Sequence, residues 1–138
     1  MDDARVSSIV TFLYFHDLAG ARAFFENTLN LELAYDTGWA GIWKVGPAAY
    51  IGAVDICSAS VDTRAKGRVL ISLTVEDVSV WHKRLKNAQV EDITKIRCSA
   101  DSGMRSFFFK GPEGYDFEVQ EFMDPEVKKR FCHSKLLS

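Results

Sequence analysis

The sequence predicts an α+β fold made of two βαβββ modules, and three observations carry that expectation. A strand followed by a capped helix occurs twice, in residues 9–30 and 68–89, with Asp17 and Asp77, Phe15 and Val75, and Leu13 and Leu73 each sixty positions apart. A Gly-Pro-x-x-Tyr stretch also occurs twice, GPAAY at 46–50 and GPEGY at 111–115, and each runs into a last strand. Between helix and last strand, each half has room for two more strands.

The elements follow in order. Residues 1–7 form a tail. The apolar run IVTFLYF is the opening strand of module one (8–55). Asp17 then sits where a helix N-cap belongs, and Leu18, Ala21, Phe24, Phe25 and Leu29 follow at helical spacing. LELAYDTG and WAGIWKVG supply the two middle strands, and IGAVD closes the module. ICSASVDTRAKG, residues 56–67, is small and polar with turn residues, and reads as the linker. Module two (68–123) opens with RVLISLTV. Asp77 caps its helix, whose stripe is Val78, Trp81 and Leu85, and strands follow around VEDITKIRC, in MRSFFFKG and in DFEVQE. In residues 124–138, Pro125 directly after Asp124 marks a short capped helix or tail.

Composition narrows the function. A chain of 138 residues buries about two-thirds of its unfolded surface, so no staple is required. The net charge of -2 argues against a polyanion, and the basic clusters Lys83, Arg84, Lys86 and Lys128, Lys129, Arg130 read as solvated helix faces, so no nucleic-acid partner is expected. No apolar run reaches membrane-spanning length, so no membrane partner is expected. The start MDDARVSS is acidic and unlike a signal peptide. Cys57, Cys98 and Cys132 have no CxxC spacing, so reduced thiols in a cytoplasmic protein are expected.

The stretch FKGPEGYDFEVQEF (109–122) sets one acid, Glu118, between Phe117 and Val119. Either Glu118 faces a cavity and binds something, or the strand is an edge and the acid is wet. Arg105 in the neighbouring strand is a candidate partner. Buried alone, the carboxyl would serve as an acid or base near neutrality, which makes Glu118 the one catalytic candidate.

FHDLAGARAFFENTLNLEL (15–33) and FFFKGPEGYDFEVQEF (107–122) resemble the vicinal oxygen chelate superfamily, which includes glyoxalase I, extradiol dioxygenases and bleomycin-resistance proteins. The likeness spans residues 8–123. It implies the glyoxalase/bleomycin resistance fold, in which a mixed sheet curls into a cup, and a homodimer. Metal-using members draw ligands from the opening and closing strand of each module. Here those positions fall on Val10, on Gly52 or Ala53, on Leu70 and on Glu118, so one of four carries a donor. Neither His16, just before the cap, nor His82, read as surface, supplies the rest. No cofactor is therefore expected, with a divalent metal as the alternative.

Alternation then predicts the lining of the cup. Phe12, Tyr14, Ser72, Thr74 and Glu118 face it, together with Trp39 and Trp43 on one side of their strand and Phe107 and Phe109 on one side of theirs. Thr11, Leu13, Phe15, Phe117 and Val119 face the helices. The expected function is metal-free binding of a small aromatic or cationic organic molecule. A metal-dependent lyase, isomerase or dioxygenase is the alternative, and a module that has lost its pocket chemistry is the third reading.

Overall fold

The computed structural model describes residues 4–59, 62–64, 69–100 and 103–132. The chain divides at residues 67 and 68 into two units, and each holds one copy of the repeat. Parts of the expected linker (60–61 and 65–67) and of both ends (1–3 and 133–138) lie outside the described residues.

The first unit runs β1 (Ile9–Phe15), α1 (Leu18–Ala23), β2 (Glu32–Asp36), β3 (Ala40–Gly46) and β4 (Ala49–Asp55), with the sheet order β1-β4-β3-β2. β1 lies parallel to β4, and the other pairs are antiparallel. A parallel pair needs a long crossover, which the helix and middle strands provide. Asp17 starts the helix as expected: its carboxylate accepts the Gly20 N–H at 3.0 Å, an interaction worth about 1 kcal/mol. From Phe24 to Thr28 the helix widens to π geometry, with the Leu29 N–H bonding Phe24 O at 2.9 Å. Both Phe24 and Phe25 are buried in this turn.

The core of this unit lies between the helix and one face of the sheet. Leu13, Phe15, Trp43, Ile51 and Ala53 are buried there. The Phe25 ring centre is 5.1 Å from Trp43 and 6.2 Å from Phe15. The Trp43 Nε1–H donates to Glu26 Oε1 at 3.2 Å, so the indole is buried without an orphaned donor. After β4, Ile56–Ser58 forms a 3-10 turn capped by Asp55.

The second unit repeats the plan with β5 (Ile71–Thr74), α2 (Val78–Asn87), β6 (Arg97–Ser99), β7 (Met104–Lys110), β8 (Asp116–Phe122) and a terminal α3 (Pro125–Phe131). Its order is β5-β8-β7-β6, again with the opening and closing strands parallel. Asp77 caps α2 through the Ser79 and Val80 N–H groups, and Asp124 caps α3 through Glu126. Val78, Leu85, Phe107, Phe109, Phe117 and Val119 form the core. β6 is shorter than the run VEDITKIRC suggested: Arg97 and Cys98, followed by Ser99, form a continuous ladder with β7, while Glu91 makes an isolated bridge to Lys110.

Two groups expected at the surface are tied down instead. The His82 ring stands edge-on to Phe107 at 4.8 Å, and its Nε2 lies 2.9 Å from Thr94 O. Lys128 donates to Glu121 Oε2 at 3.0 Å and to Glu76 O at 2.7 Å. Glu121 is 8% exposed, and it also accepts the Val78 N–H at 3.0 Å, the first donor of α2. Burial alone would push its carboxyl up, but the Val78 N–H and the Lys128 and Arg105 cations outweigh it and hold the group below its ordinary value of 4.5.

A carboxyl lowered in the folded state contributes stability that is present above its unfolded pKa and lost as pH falls through the folded value. Urea unfolding at neutral pH should show Glu121→Gln destabilised by about 1–3 kcal/mol, since Lys128 loses its buried counter-charge. That gap should begin to shrink as pH falls below the ordinary carboxyl value of 4.5, and shrink further as the folded carboxylate, held lower, protonates. Equal stability at neutral pH would contradict the assignment.

Candidate functional site

A cavity of about 400 Å³ lies in the first unit, on the sheet face opposite α1. Four aromatic side chains wall it: Phe12 and Tyr14 from β1, Tyr35 from β2, and Trp39 from the bend before β3. Ala40, Ile42 and Val54 form its aliphatic floor, and the hydroxyl residues Thr37 and Ser58 sit at its edge.

Register explains this set. Residues directly opposite on paired strands share a face. Phe12 lies opposite Gly52, Gly52 opposite Ile42, and Ile42 opposite Tyr35. Tyr35 reaches this face because the β2–β3 register shifts between Leu33 and Tyr35. Leu33 is opposite Trp43 on the helix side, so an unbroken strand would have sent Tyr35 there too. Trp39 precedes the strand, and its carbonyl is held by the Asp55 N–H at 2.9 Å. The alternation that placed Trp39 and Trp43 on one side therefore fails at the bend. Trp43 packs in the core on the opposite face, with its centre 5.8 Å from the Arg22 guanidinium carbon.

In the second unit, Ser72, Thr74 and Glu118 come together on one face as the alternation predicted. Ser72 is opposite Glu118, and its hydroxyl donates to Glu118 Oε1 at 2.7 Å. Gln120 Nε2 donates to Thr74 Oγ1 at 3.1 Å. Glu118 is half-buried, and its neighbour across β7 is Phe108. Phe107 and Phe109 fall on the other face. They lie opposite Val119 and Phe117, and Phe109 stacks on Phe117 at 5.2 Å in the core. The hairpin register decides this, and Ser106 and Lys110, which alternate with Phe108, lie on the face that those two rings leave. Arg105 is not the partner of Glu118 either: it lies opposite Glu121, and its guanidinium donates to Ser79 Oγ at 3.3 Å.

The four positions at which metal-using relatives would supply ligands can be tested one by one. Phe12–Gly52 in the first unit occupies the same register as Ser72–Glu118 in the second, so Gly52 rather than Ala53 is the counterpart of Glu118. A Cβ at Gly52 would meet Phe12 Cδ1 at 2.5 Å, so the aromatic ring fills the space a ligand side chain would need. Val10 and Leu70 offer no lone pair. One carboxylate already accepting a hydroxyl does not fit a three- or four-donor cation site. Among the described residues, no three His, Cys, Asp or Glu side chains cluster as a metal site would require.

The comparisons agree with this architecture. The sequence model of the Glyoxalase/Bleomycin resistance protein/Dioxygenase superfamily matches residues 6–119, and the chain belongs to that superfamily. No curated protein matches it. Among solved structures, lactoylglutathione lyase from Agrobacterium tumefaciens is similar at 21% identity over 86% of this chain and 96% of that one, with a TM-score of 0.67. The fosfomycin resistance protein FosX from Listeria monocytogenes is similar at 20% identity over 87% and 95%, with a TM-score of 0.67. TioX from Micromonospora sp. ML1 reaches a TM-score of 0.70 at 16% identity over 83% and 98%. At these identities the likeness is one of fold.

The Phe12–Gly52 contact makes a direct prediction. Gly52→Ala should destabilise the protein by about 1–3 kcal/mol, as overpacking does. Phe12→Ala in the same chain should relieve most of that loss, giving a coupling above about 0.5 kcal/mol in a double-mutant cycle of urea unfolding. Additive effects would mean that the ring does not lie on Gly52.

Proposed function

We propose that the protein binds a small organic molecule in the cavity of its first unit and does so without a metal ion. The observation that carries this reading is the cavity itself. Its size lies within the range of about 300–1,000 Å³ common for ligand pockets, and apolar walls with a few polar points are what such pockets present. The donor-poor positions Val10, Gly52 and Leu70 support the metal-free part. The exposed free thiols Cys57 and Cys98 suit the reducing, cytoplasmic setting expected from the sequence, and the homodimer remains part of the proposal.

A second reading is a metal-dependent lyase, isomerase or dioxygenase. Glu118 favours it, because the carboxylate stands at a ligand position and faces its strand neighbours with one hydroxyl partner. In that case further donors must come from residues outside the four positions.

Two measurements separate the readings. Elemental analysis of the purified protein, with melting curves after chelation and after adding Ni, Zn, Mn, Fe(II) or Mg, should show no stoichiometric metal and no rise in Tm. A tight metal would instead stabilise by about 2.7 kcal/mol at a hundredfold excess over its Kd, and that result would move the enzyme reading ahead. A panel of small aromatic compounds should change tryptophan fluorescence, and Trp39→Ala should weaken binding about tenfold or more, in line with the weight aromatic anchors carry. A panel in which no compound changes fluorescence or Tm would contradict the binding reading.

A further inference from the structure

Among the described residues, the cavity's walls carry no charged side chain, and this says more about the occupant than its size does. The acids next to it in sequence are engaged elsewhere. Asp36, between Tyr35 and Thr37, binds the Arg22 guanidinium at 2.6 Å and the Gly38 N–H at 2.8 Å. Its register opposite Gly41 puts it on the helix side of the sheet. Asp55, next to Val54, caps the 3-10 turn through the Cys57 N–H at 2.9 Å. Arg22 is held by Asp36 and by Ala40 O at 3.3 Å.

An anion entering such a site would meet electron-rich ring faces and no counter-charge among the described lining residues. The same ring faces attract cations, quaternary ammonium groups above all, so the site does not disfavour a cation in this way. The polar points at the edge are also directional. The Thr37 hydroxyl donates to Ala40 O at 3.3 Å, which leaves its oxygen lone pairs to accept.

Resting on the binding function proposed above, we infer that this cavity selects planar aromatic molecules that carry no anionic group and have an N–H or O–H donor on the ring edge. Phe12, Tyr35 and Trp39 offer ring faces to the plane, and Thr37 accepts from the donor. The sign of the charge is the discriminating property: anions are refused and cations are not.

Four naphthalene probes of similar shape test this by calorimetry at neutral pH: 2-naphthol, 2-methoxynaphthalene, 2-naphthoate and 2-naphthyltrimethylammonium. The expected result is that 2-naphthol binds at least tenfold more tightly than 2-naphthoate, while 2-naphthyltrimethylammonium shows no such loss. Thr37→Val should then weaken 2-naphthol several-fold while leaving 2-methoxynaphthalene unchanged. Trp39→Ala, at an exposed bend and so compatible with folding, should weaken both neutral probes. A carboxylate probe that binds as tightly as 2-naphthol, or an ammonium probe as weak as the carboxylate, would overturn the charge selection while leaving the binding function standing. Thr37→Val acting equally on both neutral probes would overturn the donor requirement. Failure of every probe to bind, or binding indifferent to Trp39→Ala, would overturn the binding function at this cavity and the selection with it.

Discussion

Each unit depends on the parallel pairing of its opening strand with its closing strand. Leu13 lies opposite Ala53, and Leu73 opposite Val119. Because strand side chains alternate with period two, this register divides every later residue of the sheet between two faces. One face receives the helix that a capping aspartate has started at a set distance from the strand. Trp43, Phe25 and Phe15 close on one another there, and burying each such ring contributes about 1.5–3 kcal/mol. A slip by one residue would put Leu13 and Phe15 where Phe12 and Tyr14 stand, so the core and the cavity hold the same register in place.

The two units show what the repeat keeps and what it varies. The helix faces are alike in character: apolar strand residues, a capped helix, aromatic contacts. The opposite faces differ at equivalent positions. In the first unit an aromatic ring, Phe12, covers a glycine, Gly52. In the second a hydroxyl, Ser72, binds a carboxylate, Glu118. One backbone register thus supports an apolar wall in one unit and a polar pair in the other. Function can change on that face because the helix-side core carries the stability.

Legibility in the sequence followed the same division. Asp17 and Asp77 were readable as caps because the cap side chain acts on N–H groups two or three residues away. The faces of β1, β5 and β8 were readable because those strands run unbroken, so Phe12 and Tyr14 share one face of the first sheet, and Ser72, Thr74 and Glu118 share one face of the second. Trp43 was misplaced because Trp39 sits on a bend rather than in the strand, and Tyr35 was missed because a register shift follows Leu33. Phe107 and Phe109 were misplaced although Ser106 and Lys110, two positions either side of Phe108, already mark the face those two rings do not share. The pairing with β8 agrees, since Phe107 and Phe109 lie opposite Val119 and Phe117 on the helix side. By residue type, nothing in the run DFEVQE sets Glu121 apart from Glu118, three residues before it. Glu121 belongs to the helix side, where the first N–H of α2 and Lys128 meet it.

The division of faces is most directly tested by 19F NMR of protein labelled with 5-fluorotryptophan, with the three resonances assigned by Trp39→Phe, Trp43→Phe and Trp81→Phe. Titration with 2-naphthol should move the Trp39 resonance and leave Trp43 in place, and a dissolved paramagnetic agent should broaden Trp39 far more than Trp43. A Trp43 resonance that responds to both while Trp39 stays silent would contradict the register, and with it the placement of the cavity.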